Sequence, residues 1–69
     1  MFIKLHGCID NNRVMVNVNF IEAIQELKQG SKYDKYRMES GAKTMISVHG
    51  NPLLVKESVI QIEHLLKNA

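Results

Sequence analysis

The sequence predicts an α+β domain: a small antiparallel β-sheet of four to five strands, left open or curled into a partly open barrel, with one C-terminal α-helix packed on it. Three observations carry this. Two alternating runs, Phe2–Cys8 and Arg13–Val18, flank Asp10-Asn11-Asn12, and Asp and Asn form tight turns because they tolerate left-handed geometry and bond their own backbone. Two more extended runs, Lys43–Val48 and Leu53–Val55, flank Gly50-Asn51-Pro52; Gly accepts positive φ there, and Pro removes an N–H that a ladder would need. Finally, Val55, Val59, Ile62 and Leu66 fall on one stripe of a helix.

In the first hairpin Ile3 and Leu5 face inward with Val14, Val16 and Val18, and Lys4 and His6 face outward. β-Branched residues at period two make Arg13–Val18 the clearest strand of the first half. Asn19–Lys28 has two readings. A capping-box-like Asn19…Glu22 followed by Phe20, Ile21, Ile24 and Leu27 suits one helix face. The alternative is a short turn at Asn19–Ile21 and then a strand from Glu22 to Leu27. Gln29–Ala42 has no periodicity and is bracketed by Gly30-Ser31 and Ser40-Gly41, so it reads as a loop. The C-terminal helix starts at Ser58, because Ser58-x-x-Gln61 has the spacing of a reciprocal capping box. A helix of about ten residues is unstable alone in water, so it must lie on the sheet. The expected core is Ile3, Leu5, Val14, Val16, Val18, Ile46, Val48, Val55, Val59, Ile62 and Leu66.

The 69 residues make one domain, 1–69. A chain this short buries only about 60% of its unfolded surface and is marginally stable without help. Cys8 is the single cysteine, which excludes an internal disulfide and fits a reducing, cytoplasmic setting. The N-terminus lacks the pattern of a signal peptide, and no run approaches the ~18 apolar residues of a membrane span. His6, His49, His64 and Cys8 match no zinc spacing. Neither metal nor cofactor is expected, and oligomerisation is the remaining aid to stability. The formal charge of +2 neither demands nor excludes a nucleic-acid partner.

Three segments together carry a resemblance: Phe2-Ile3-Lys4-Leu5; Val16-Asn17-Val18-Asn19-Phe20-Ile21-Glu22-Ala23-Ile24; and Gly50 followed by Val55-Lys56-Glu57-Ser58-Val59 and an amphipathic helix. The chain resembles the small flagellar and swarming-motility proteins of the FlbD type, which are short cytoplasmic bacterial proteins without known catalytic residues. Similarly patterned small proteins occur among phage and mobile-element accessory proteins. The resemblance implies a strand after Ile21 and so favours the turn-then-strand reading. It also implies a non-catalytic module acting through protein contacts. The chain departs from the family pattern in its link between Ile21-Glu22-Ala23-Ile24 and the next strand. The family has a short link, often with Thr-Pro-Asp; here it is a longer basic segment with two tyrosines.

No nucleophile–base spacing, phosphate loop or paired carboxylates point to catalysis, and the chain is not expected to be an enzyme. Two surfaces are candidates. The basic segment offers Lys28, Lys32, Lys35, Arg37 and Lys43 with Tyr33 and Tyr36. Lysines contact phosphates and tyrosines stack on bases, so this segment suits single-stranded nucleic acid, with binding that falls steeply in salt. The other candidate is an oligomer interface. Lys4, His6, Met15, Asn17, Met45 and Ser47 make a sheet face that is neither wet nor dry, and methionine adapts well to binding surfaces. A homo-oligomer is therefore expected with Met15 and Met45 near its contact. Ile60, across the helix from the apolar stripe, is the alternative contact.

Overall fold

Five strands, most of them alternating apolar and polar residues, and two α-helices make up the fold of the described residues. The structure is a computed structural model and describes residues 1–8 and 12–68. Strand β1 (Phe2–His6) pairs antiparallel with β2 (Arg13–Asn17) in the register Ile3↔Val16 and Leu5↔Val14. A single 3-10 turn, Val18–Phe20, leads into β3 (Ile21–Glu26), and the Asn17 side chain caps it by accepting from Asn19 N–H. The turn-then-strand reading of this segment therefore holds, and the helical one does not. Strands β3, β4 (Thr44–Val48) and β5 (Asn51–Val55) form an antiparallel sheet in that order. The two sheets meet where Gly7 bridges Val55: Cys8 N–H donates to Leu54 O at 3.1 Å, and Lys56 N–H to His6 O at 2.9 Å. The fold is α+β, and the strands do not close into a barrel.

The expected turn at Asp10–Asn12 lies outside the described residues except for Asn12, whose carbonyl accepts Gly7 N–H at 2.9 Å. The turn expected at Gly50-Asn51-Pro52 falls earlier. His49 (φ 52°) and Gly50 (φ 77°) are both left-handed, and Val48 pairs with Asn51. A two-residue loop with positive φ at both positions matches the twist of the flanking strands, which is why the tight turn wins. Pro52 then falls inside β5 opposite Ser47, where β1 does not reach. An outer position tolerates a missing N–H. Glu22 braces this turn, accepting from Gly50 N–H at 2.6 Å and Ser47 Oγ at 3.3 Å.

The core lies between the strands and α2 (Val59–Lys67). Ile3, Leu5, Val16, Ile46, Val55 and Ile62 are buried together, with Val14, Val18, Val48 and Leu66 half-buried around them. Val55 belongs to β5 rather than to the helix, so the helical stripe begins at Val59, which is only half-buried. The capping box is present: Gln61 N–H donates to Ser58 Oγ at 3.1 Å and Ser58 N–H to Gln61 Oε1 at 2.8 Å. Thr44 is also fully buried, and its hydroxyl donates to Glu57 O at 2.7 Å, holding the entry to α2 on β4.

The segment read as a loop contains a second helix, α1 (Asp34–Ser40). Apolar periodicity could not reveal it, because none of its residues is buried. It is held by its ends. Asp34 accepts Arg37 Nε–H at 2.7 Å and Gly30 N–H at 3.0 Å, and Gly41 closes the helix in the left-handed conformation (φ 73°). Ahead of α1, Tyr33 packs with Met45 and Leu54 on a small second cluster of Cys8, Leu27 and Ala42.

Candidate functional site

The basic segment divides once folded. Lys28, Lys32, Lys35 and Lys43 are exposed, and no carboxylate pairs with them among the described residues. Arg37, by contrast, is engaged by Asp34. Those contacts with Gly30 N–H and Arg37 hold the Asp34 carboxyl below its ordinary pKa, against a smaller opposing effect of burial. Tyr33 is half-buried on the second cluster, with Lys32 Nζ 5.6 Å from its ring centre. Tyr36 stands 6.4 Å from Tyr33, centre to centre, and both rings border a cleft of about 430 Å³ with Cys8, Pro52 and Leu54. The lysines are thus free, while the two rings face a common apolar cleft rather than forming an open stacking row.

The three apolar candidates do not come together. Met15 is 59% exposed on the outer side of β2. Met45 is half-buried in the second cluster beneath Tyr33. Ile60 is 78% exposed on the back of α2 and borders a shallow cleft of about 390 Å³ with Glu57, Gln61, His64 and Leu65. Met15 gains neighbours that sequence reading missed. Phe2 is 57% exposed and sits diagonally across the ladder from it, and the exposed Met1 precedes Phe2. Strand alternation was the available signal, since Phe2, Lys4 and Met15 share the face that Ile3 and Leu5 turn away from. The module therefore carries exposed apolar side chains on two sides: the outer face of β1–β2, and the back of α2 across the core.

Between these surfaces lies one polar linkage. Glu57 Oε1 accepts His6 N–H at 2.9 Å, and Oε2 lies 2.6 Å from His6 Nδ1. Burial disfavours the charge on Glu57, but these bonds and its own backbone N–H outweigh that effect and hold the carboxyl below the usual glutamate range. The sign follows from the depressed pKa. The stabilisation is present above the ordinary glutamate value of about 4.3 and is lost as pH falls through the lower folded value. Glu57→Gln should lower the urea midpoint at pH 6 by the equivalent of ~1–2 kcal/mol, and the gap to wild type should narrow at pH 3. An unchanged gap would mean that the carboxylate charge is not what matters.

Among the described residues no group of three or more His, Cys, Asp or Glu side chains could hold a metal, and no helix is long and apolar enough to cross a membrane. Compared with family models, curated proteins and solved structures, the chain matches none.

Proposed function

We propose that this domain is a non-catalytic interaction module that works through protein–protein contacts and self-associates. The observation that carries this reading is the placement of Phe2 and Met15 together on the outer face of β1–β2, with Ile60 exposed on the other side of the core. Scattered apolar side chains are ordinary on any surface, whereas grouped ones mark contact sites. The likeness to small flagellar and mobile-element accessory proteins supports the same reading. Self-association suits the back of α2: Ile60 projects beside a cleft that reaches Leu65. A two-fold pairing can seat each copy's Ile60 in the other's cleft.

A second reading, nucleic-acid contact through the basic segment, is favoured by the four unpaired lysines. One experiment separates the two. A photo-crosslinking amino acid is placed at position 2, 35 or 60 in the cell of origin. Protein adducts at 2 or 60 support the module, whereas nucleic-acid adducts confined to 35 support the second reading. For self-association, sedimentation equilibrium of the purified domain at micromolar concentration should give more than the monomer mass, and Ile60→Lys should return it to monomer. A monomer mass throughout would sink self-association.

A further inference from the structure

We propose that the free edge of β2 takes an extended, acidic and apolar segment of a partner protein as an added strand. The inference rests on the protein-contact reading and specifies the partner's chemistry. It starts from hydrogen-bond parity. Val18 N–H donates to Met1 O and Gly7 N–H to Asn12 O, both at 2.9 Å. In an antiparallel ladder, bonded and non-bonded pairs alternate. With the observed register, the bonded pairs between these two are Ile3/Val16 and Leu5/Val14. Val14 and Val16 therefore direct their backbone groups to β1. Arg13 and Met15 direct theirs to the opposite edge, as does the Asn17 N–H, the Asn17 carbonyl being taken by the 3-10 turn, and among the described residues β2 pairs with no other strand.

Apart from the charge of Arg13, this edge lacks the usual safeguards against pairing. β2 contains neither proline nor an irregularity in register. The other outer strand, β3, has a register shift between Ile21 and Ala23 and carries Glu22 and Glu26. Bulges and inserted charge are how outer strands avoid new neighbours. An incoming strand on β2 would gain main-chain bonds from Arg13, Met15 and the Asn17 N–H and would run its side chains past Met15 and Arg13.

Charge then selects the occupant. Lys4 and Arg13 are exposed beside Phe2 and Met15, and neither β1 nor β2 contains an acidic residue. A segment that alternates carboxylates with apolar side chains complements both features. A second copy paired two-fold about Met15 would lay Arg13 against Asn17 and offer no carboxylate to Arg13 or Lys4. A nucleic acid would find only Phe2 and the Glu57-bound His6 as rings on the two strands, not a row of rings for successive bases.

The test is selection of a phage-displayed library of random dodecapeptides on the wild-type domain. Enriched sequences should alternate acidic and apolar residues. Met15→Pro removes an N–H that points away from β1, so it spares the β1–β2 ladder. It should weaken the enriched peptides about tenfold, the scale of one lost contact. Arg13→Glu, which leaves the backbone intact, should do the same if the proline variant does not fold. No enrichment, enrichment without acidic residues, or undiminished binding to the folded variants would overturn the proposal. A wild-type dimer that Met15→Pro dissociates would assign the edge to a second copy and overturn it too. Protein adducts at position 60 alongside a failed selection would remove this edge while leaving the module reading intact.

Discussion

Ile62→Asp should abolish the folded state at 25 °C. Ile62 is fully buried among Ile3, Leu5, Val16, Ile46 and Val55, so it joins α2 to strands of both sheets. Truncating such a side chain costs ~2–5 kcal/mol, and burying an unpaired carboxylate adds several more. A domain of this size has stability of order 0.05–0.15 kcal/mol per residue, roughly 3–10 kcal/mol in all. The penalty is comparable to the whole. Far-ultraviolet circular dichroism should lose its cooperative melt. Ile60→Asp, melted beside the parent at a concentration low enough that both are monomeric, is the matched control: it is exposed, and a carboxylate in the first turn favours the helix dipole. It should melt with the parent to within about 0.5 kcal/mol. Val59→Asp should fall between the two, since Val59 is half-buried and outside the main cluster. If Ile62→Asp melts like the parent, the placement of α2 is wrong.

The features legible in the sequence are those written in local patterns. Period-two valines placed β2, and Ser58 with Gln61 three residues later placed the start of α2 to the residue. Alternation also sorted Ile3 and Leu5 from Lys4, and so put Met15 on the outside. Local pattern failed where distant groups decide. The helical reading of Asn19–Lys28 was reasonable by propensity, but pairing with β4 overrides it. His6 and Glu57 are 51 positions apart, and no spacing rule connects them. Helix α1 was missed because periodicity finds helices by their buried face, and this one has none. Of the candidate surfaces, the exposed lysines and Ile60 were readable. The diagonal approach of Phe2 to Met15 needed the hairpin register, and the open edge of β2 needed hydrogen-bond parity as well.

The same failure adds a cost to an expectation about the basic segment. Read as a loop, Ser31–Glu39 looks dispensable, because loop length alone costs little. In the fold, Tyr33 covers the second cluster, and Leu27 N–H donates to Lys43 O at 3.0 Å, closing β3 and β4 just inside the segment. Deleting Ser31–Glu39 leaves that closing bond and the main cluster untouched, so a cooperative fold should survive. Cys8, Met45 and Leu54 lose their tyrosine lid. Loss of a half-buried aromatic side chain and its neighbours' burial should cost ~2–4 kcal/mol, a large share of the total. Cys8 is only 8% exposed in the intact domain, so its reaction with an aromatic disulfide reagent should be slow. In the deletion it should rise about tenfold or more while the melt stays cooperative, because opening the lid no longer requires a free-energy change near 1.4 kcal/mol or above. Tyr33→Ala should reproduce most of this effect, and Tyr36→Ala less, as Tyr36 is exposed and outside the cluster. A deletion with unchanged stability and an unreactive thiol would show that the tyrosines do not seat the segment. Both rings would then be free to serve the lysines around them.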